Sequence, residues 1–227
     1  MEAKVELMIN IRNQGLDGKR KRKNKNKIGN QEGEQMNDYL KLLEMLKSSQ
    51  RLVSVFSDIE EPSTCSVGYI HQFDECWMAM AHITPEGFED GYIFRKIENI
   101  FRIDFDGVYE KKVEYLQNQN LKKHEQLNLC SEKGIFVAAM NEAMRTKKMM
   151  AINVLGGDDV IGSVYSISES FVTMQKFTDF GDEDGLTVIP LEVITKFNYD
   201  NLDLRSINCL NKYKKDSSNN GTLKAKN

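Results

Sequence analysis

The chain has 227 residues, of which 40% are hydrophobic and 29% charged, as is typical of a globular protein with one large or two small domains. It contains no apolar run long enough to cross a membrane, and its first residues lack the pattern of a signal peptide. The four cysteines form no closely spaced pair and only three histidines accompany them, which argues against a zinc site. Reduced thiols in a cytoplasmic protein are therefore expected.

The net charge of −3 is unevenly distributed. Residues 1–35 hold nine basic side chains, most of them between Lys19 and Lys27, so that residues 36–227 hold 22 basic and 29 acidic ones. The basic run is typical of a nucleic-acid-binding arm or of a solvated, disordered tail. Its candidate phosphate contacts are Lys19, Arg20, Lys21, Arg22 and Lys23. The acidic remainder disfavours nucleic-acid binding by the folded part, because that binding depends on neutralising phosphates.

The genetic code offers a third interpretation of residues 1–35. Residues 31–35 (QEGEQ) can be encoded by a string that contains GGAGG, at the distance of a bacterial ribosome-binding sequence from Met36. If the gene is bacterial, we expect translation to begin at Met36 and residues 1–35 to be upstream sequence read in frame.

From Met36 onward, a pattern of one helix and five strands occurs twice. The amphipathic segments 36–47 and 135–145 predict the two helices. The predicted strands of the first copy are residues 52–56, a strand through Gly68, and residues 77–83, 92–94 and 100–105. Those of the second copy are residues 149–155, a strand through Gly162, and residues 171–177, 186–189 and 194–199. The triplets Glu89–Gly91 and Glu183–Gly185, both EDG, are interpreted as tight hairpin turns.

The two copies align without gaps at a constant offset of 94, residues 67–118 with residues 161–212. Twelve of the 52 aligned positions are identical, whereas average residue frequencies give about three by chance. The alignment predicts a duplicated domain, because the period is too long for a solenoid repeat. The predicted organisation is a disordered basic tail (1–35), a helix with a first barrel (36–118), a linker (119–133), a helix with a second barrel (134–212) and a disordered tail (213–227).

The arrangement of one helix and five short strands resembles the Sm-like (LSm) group of small β-barrels, and more broadly the SH3-type barrels. Gly68 in mid-strand, Asp74 at the next turn and the apolar residues 78–80 occupy places comparable to those of the family's first motif. Gly162, Glu169 and residues 172–174 do so in the second copy. The resemblance implies a mainly β fold with helices, in which two tandem five-stranded barrels each follow an α-helix.

The resemblance does not extend to the family's RNA site. RNA-binding members usually carry a basic residue and a glycine between the fourth and fifth strands, where this chain has acids in residues 96–99 and 190–193. Trp77 and Phe171 replace an expected asparagine. We interpret these two aromatic residues as a core position shared by both barrels, rather than as a platform for stacking bases.

Two groups of side chains are candidates for a chemical site. Residues 85–90 and 179–184 are rich in oxygen ligands but lack the alternating acids of a calcium loop, so we interpret them as hairpin turns. Cys76 with His71, Asp74 and Glu75 could form a nucleophile activated by a base, but the second copy has no equivalent. No neighbouring carboxylate pair is expected to orient His71 or His82.

Without a catalytic, metal or cofactor motif, the sequence favours a non-enzymatic cytoplasmic module that binds a protein partner or itself. One alternative is an Sm-like RNA- or DNA-binding protein that uses its basic arm. Another is a small enzyme with a polar pocket between the barrels.

Overall fold

The computed structural model describes residues 38–120, 122–130, 132–155 and 159–224, with side chains up to residue 217. The basic run and the predicted translation start at Met36 lie outside the described residues. The chain divides into two compact units, residues 1–42 and residues 43–227. Of the first unit only residues 38–42 are described, and the second contains the whole β-sheet.

The described residues form four α-helices and ten β-strands. The helices are α1 (residues 38–48), α2 (Val108–Gln119), α3 (Ile135–Thr146) and α4 (Leu202–Lys224). The strands are β1 (Leu52–Phe56), β2 (Ser66–Phe73), β3 (Trp77–Ile83), β4 (Glu89–Lys96), β5 (Arg102–Phe105), β6 (Met150–Val154), β7 (Val160–Ile167), β8 (Phe171–Phe177), β9 (Glu183–Pro190) and β10 (Ile194–Tyr199). Single 3₁₀ turns, Ile97–Asn99 and Leu191–Val193, precede β5 and β10.

All ten strands belong to one antiparallel sheet with the order β5-β1-β2-β3-β4-β10-β6-β7-β8-β9. The sheet is open, because β5 and β9 are its outer strands. The predicted mainly β fold with helices is confirmed, whereas the prediction of two closed Sm-like or SH3-type barrels is wrong. The physical reason is that β4 forms its second ladder with β10, so that the two sets of five strands join each other instead of closing separately.

Strand pairs in the two sets of five have the same register when shifted by 94 residues. Gly68 lies opposite His82 in the β2–β3 ladder, as Gly162 lies opposite Lys176 in the β7–β8 ladder. The β-bulges also correspond; they fall between Ile70 and Gln72, Val164 and Ser166, Ala81 and Ile83, and Gln175 and Phe177. Bulges disrupt and bend a ladder locally, so the two sets share irregular features as well as regular ones.

The EDG triplets do not form the hairpin turns. The turn between β3 and β4 closes with the Thr84 N–H donating to the Phe88 carbonyl at 2.9 Å, and Thr178 donates to Asp182 in the same way. Glu89–Gly91 instead begins β4, with Glu89 opposite Ile83. The turn prediction was wrong because Asp-Gly is favoured wherever the backbone needs a positive φ, in a strand bulge as well as in a turn.

A core cluster lies where α3 packs on the sheet, and it includes residues of β3, β4, β10 and β6. Trp77 belongs to it, with 8% of its surface exposed, and packs against Phe136 and Phe197 at ring-centroid distances of 5.0 and 5.5 Å. Phe171 is 41% exposed, so the prediction that it is an equivalent core residue was wrong. Its strand, β8, lies next to the outer strand β9, so the sheet ends one strand away.

The segment between α2 and α3 contains no helix or strand among its described residues, but it is anchored to the sheet. Leu127 and Leu129 are buried, the His71 ring donates from Nε2 to the Leu127 carbonyl at 2.8 Å, and the Gln72 amide donates to the Leu129 carbonyl. At the other end, α4 continues through residues 213–224, for which the composition predicted disorder. None of the helices within the described ranges is both long and apolar enough to span a membrane.

Candidate assembly interface

Among the described strands, β4 and β10 form the ladder that joins the two sets of five. We call these two strands, Glu89–Lys96 and Ile194–Tyr199, together with the side chains that contact them, the internal joint. Tyr92, Phe94 and Phe197 are buried there, and the rings of Phe94 and Phe197 stack with centroids 4.4 Å apart. Consecutive apolar residues in β4 are expected of a strand covered on both faces. The joint is therefore packed like a protein core.

A buried ion pair lies at the start of β4. Arg205 of α4 donates from Nη1 to Oε2 of Glu89 at 2.7 Å and from Nη2 to Oε1, while Lys122 lies 3.1 Å from Oε2. Burial alone would raise the pKa of Glu89, but the hydrogen bonds from Arg205 and Lys122 outweigh it and lower that pKa to about 2. Glu89 thus remains an anion, and it ties α4 of the second set to a strand of the first.

Asp90 connects the same two elements with both of its carboxylate oxygens. Its Oδ2 accepts a hydrogen bond from His82 Nδ1 at 2.8 Å, and its Oδ1 accepts one from the backbone N–H of Leu202, the first residue of α4, at 2.7 Å. A carboxylate at a helix N-terminus satisfies an otherwise unpaired N–H and favours the helix dipole. The sequence predicted that no carboxylate pair orients His82. In the structure a single carboxylate, that of Asp90, holds its ring across the β3–β4 hairpin.

Gly91 permits the backbones to come close at the joint. It has a positive φ of 63°, and a Cβ added there would lie 2.3 Å from the Tyr199 carbonyl oxygen. Any side chain at this position would collide with the backbone of β10. The triplet Glu89–Gly91 therefore supplies the joint with an ion pair, a helix cap and a close backbone contact.

The outer strands β5 and β9 are the free edges of the sheet. On β9, Leu186 and Val188 are 58% and 59% exposed, and on the other edge Phe105 is partly exposed. A groove of about 840 Å³ runs beside β5 and is lined in part by Ile103 and Val108. Exposed apolar residues on an edge strand favour pairing with another strand.

The residues proposed as a Cys/His nucleophile have structural roles. Asp74 Oδ1 accepts hydrogen bonds from the N–H groups of Cys76 and Trp77 at 2.9 and 2.7 Å, and its Oδ2 accepts one from the N–H of Ile135 at the start of α3. The His71 ring is held by the carbonyl of Leu127, and burial lowers its pKa. Neither side chain acts as a base towards the exposed thiol of Cys76.

Cys65 is a partly buried thiol that lines the groove beside β5. Ser54 donates its hydroxyl to the buried carboxylate of Glu110 in the same groove. Burial raises the pKa of the Cys65 thiol, the opposite of what activates a cysteine nucleophile. This groove therefore shows no sign of cysteine chemistry.

The described residues include no group of three or more His, Cys, Asp or Glu side chains that could hold a metal ion. The calcium hypothesis accordingly finds no support in the described loops. The nucleic-acid candidates Lys19, Arg20, Lys21, Arg22 and Lys23 lie outside the described residues.

No protein-family model, curated protein or solved structure matches this chain.

Sequence reasoning missed the internal joint although its signal was visible. Glu89, Asp90 and Gly91 are identical to residues 183–185 at the offset of 94. Their repetition was attributed to local turn chemistry, whereas each of the three also contacts a residue more than 100 positions away, Tyr199 and Arg205 among them.

Proposed function

We propose that the protein is a non-enzymatic assembly module, built by duplication of one helix-and-five-strand unit, that acts by adding protein strands to the free edges of its sheet. The observation that carries the proposal is the exposed apolar edge of β9. Leu186 and Val188 pair with β8 on one side and have no strand on the other side among the described residues. Strand addition to an open sheet edge is a common mode of protein recognition.

The duplication is supported by features that local propensity does not explain. Asp106 and Asp200 both have positive φ, 61° and 54°, and each lies two residues before the first residue of a helix, α2 or α4. The N–H of Ile97 donates to the carbonyl of Cys76 at 2.8 Å, and that of Leu191 donates to Ser170 at 3.0 Å, again 94 residues on. A non-glycine residue with positive φ is uncommon, so its recurrence at one offset favours a shared origin.

A role in assembly is supported by the outer edge of β9, which corresponds to the edge of β4 that the internal joint covers. The joint buries one edge of the first strand set in a ladder with the second set. The equivalent edge of the second set, β9, retains apolar side chains but is exposed. Edge strands that stay unpaired usually carry charges or prolines that prevent pairing. β9 has two acids at its start and Pro190 as its last residue. Between them, Leu186 and Val188 are apolar and exposed, so this middle stretch of β9 favours pairing with a further strand.

The second candidate function is nucleic-acid binding through the basic run Lys19–Lys27, which alone favours it. The two candidates differ in their dependence on salt and on residues 1–35. Binding through phosphates falls steeply with salt and is lost when residues 1–35 are deleted, whereas strand addition through β9 depends on neither.

Photo-cross-linking in an extract of the source cells tests the proposal. A photoreactive phenylalanine analogue is placed in the full chain at Val188, at Phe105 and, as a control, at Tyr213, an exposed residue of α4 that belongs to neither edge strand. We expect discrete protein adducts from the two edge positions and none from position 213. Adducts only to RNA or DNA, or the same protein adducts from all three positions, would reject the proposal.

A further inference from the structure

We propose that the partner at the edges is a second copy of this chain, and that copies join head to tail, β9 of one pairing with β5 of the next in the register with which β4 pairs with β10. The inference rests on the proposed function, because it names the partner of the edges defined there. Its template is the internal joint, which already shows how the fourth strand of one set receives the fifth strand of another.

The register of the new joint follows from the internal one. Inside the chain, the aromatic pairs are Phe94 opposite Phe197 and Tyr92 opposite Tyr199. Moved by 94 residues, they become Val188 opposite Ile103 and Leu186 opposite Phe105. Both new pairs are apolar, and directly opposed apolar side chains are the unit that stabilises an antiparallel ladder.

The backbone of β9 presents its free hydrogen-bonding groups at these two positions. The Leu191 N–H points to β8, since it donates to Ser170 at 3.0 Å. Because residues in an antiparallel ladder face the neighbouring strand alternately, the N–H and C=O groups of Val188 and Leu186 face away from β8. They are therefore available to a further strand.

The proposed joint explains why residue 185 is a glycine, because it brings the backbone of a second copy close to this position. Gly185 has a positive φ of 70°, like Gly91, but a Cβ at this position would meet nothing within 4 Å, whereas at Gly91 it would meet the Tyr199 carbonyl. The residue equivalent to Tyr199 is Phe105. The open space beside Gly185 is thus where the proposed joint places the backbone of Phe105 from the next copy.

Opposite charges also meet at the proposed joint, as they do at the internal joint. The carboxylate of Glu89 forms ion pairs with two cations, Lys122 in the segment after α2 and Arg205 in α4. Glu183, its equivalent, lies 2.8 Å from Lys215. The position of Arg205 is occupied in α2 by Lys111, which is exposed and forms no ion pair with the described part of the chain. The proposed joint brings Lys111 of one copy to Glu183 of the next.

The helix cap made by Asp90 also has its counterpart. The Oδ2 of Asp184 accepts a hydrogen bond from Lys176 at 2.8 Å, as that of Asp90 does from His82, while its Oδ1 has no donor among the described residues. The residue equivalent to Leu202 is Val108, the first of α2, which is 89% exposed. No side chain caps α2 at Gly107, so Asp184 of a second copy would supply the missing acceptor.

Sedimentation equilibrium of the full chain over a range of concentrations is the first test. We expect masses that are multiples of 26.1 kDa and that rise with concentration. A closed ring and an open filament both support the proposal, because a head-to-tail joint gives one or the other according to its rotation. A chain that remains monomeric up to its solubility limit would overturn it.

Charge reversal tests which surfaces meet. Lys111→Glu opposes two anions at every joint and Glu183→Lys opposes two cations, so each variant alone should self-associate at least about tenfold more weakly than the natural chain. Mixed in equal amounts, the two variants alternate and every joint again has opposite charges. We expect the mixture to recover assembly. If the mixture is no more associated than each variant alone, these surfaces do not meet.

Val188→Lys tests the strand contact, with Tyr213→Lys as the matched control. Both replace an exposed residue, so we expect both to keep the circular dichroism spectrum of the natural chain. Only Val188→Lys should abolish assembly. Association lost in Val188→Lys but indifferent to both charge reversals would indicate a symmetric β9–β9 dimer and would overturn the head-to-tail joint. Cross-links from position 188 to a different protein would overturn the self-assembly while leaving the proposed function in place.

Discussion

Arg205 reaches both carboxylate oxygens of Glu89 across 116 residues of sequence, and the two side chains connect α4 of the second strand set to β4 of the first. The Glu89 side chain is almost fully buried, whereas that of Arg205 remains about one quarter exposed. The pair lies at the end of the internal joint, next to the cap that Asp90 places on α4. The joint therefore combines an aromatic core with charged groups at one end.

Glu89→Gln should destabilise the chain by about 2 kcal/mol at neutral pH, because it removes a buried anion that holds two cations. The pKa of Glu89 is about 2 in the folded chain and near the ordinary value of 4.5 in the unfolded chain. Since the folded pKa is the lower one, the stabilisation is complete above about pH 4.5 and is lost as the pH falls towards 2. Urea unfolding of both chains at pH 7 and pH 3 measures this.

The matched control for that prediction is Glu183→Gln, in dilute protein. Glu183 has the same place in β9 but is about half exposed, and an exposed ion pair contributes little. If Glu183→Gln lost as much stability as Glu89→Gln, the role given to the buried pair would be contradicted. It would also be contradicted if the loss in Glu89→Gln were as large at pH 3 as at pH 7.

Trp77→Ala and Phe171→Ala should differ sharply although the two positions correspond. Trp77 is buried against Phe136 and Phe197, so removing its ring should cost about 3–5 kcal/mol. Phe171 is 41% exposed, and its removal should change the stability of dilute protein by no more than about 0.5 kcal/mol. Urea unfolding followed by circular dichroism suits both variants, because Trp77 is the only tryptophan. Equal losses would show that the sheet is not as open at β9 as described.

Asp74→Ala should destabilise the chain by about 1–2 kcal/mol, because it leaves three backbone N–H groups without their acceptor. Asp74→Ser should lose less. Ser168, at the equivalent position, accepts the two turn hydrogen bonds through its hydroxyl and makes no link to a helix. Glu75→Ala, at the exposed neighbour, serves as the control and should be nearly neutral. If Asp74→Ala were as neutral as Glu75→Ala, the hydrogen bond from Asp74 to the start of α3 would not contribute to stability.

How much of this fold could be predicted from the sequence depends on the range of the interactions. Strands such as Trp77–Ile83 and Phe171–Phe177 were predicted with the bounds the structure shows, because alternation and β-propensity are local signals. The pairing of Tyr92 with Tyr199 was not, because a side-chain pattern indicates which face of a strand is buried but not which strand lies beside it.

The candidate interface was partly visible in the same way. The identity of residues 89–91 with residues 183–185 showed that these positions are special. Their sequence neighbours could not show that the first triplet lies largely buried against α4 and β10, while the second is exposed and has no further strand beside it among the described residues. A turn glycine and a glycine beside a neighbouring backbone both favour positive φ, so the chemistry of Asp-Gly does not distinguish them.

Gly91→Ala and Gly185→Ala distinguish a glycine that lies against a neighbouring backbone from one that has only a positive φ. Both substitutions place alanine at a positive φ, which costs about 1 kcal/mol. At Gly91 the new Cβ also meets the Tyr199 carbonyl oxygen, with 2.3 Å between the two atoms, so β4 and β10 must separate and the loss should exceed about 3 kcal/mol. At Gly185 it meets open space, so dilute protein should lose only the backbone contribution. Urea unfolding of dilute protein measures the two losses.

At concentrations where the natural chain associates, Gly185→Ala should be monomeric, because the methyl group occupies the space assigned to the backbone of Phe105 in the next copy. Sedimentation measures this second effect independently of folding. A Gly185→Ala chain that is fully folded and associates like the natural one would mean that no strand approaches β9 in the register of the internal joint. The positive φ that Gly91 and Gly185 share would then have no bearing on assembly.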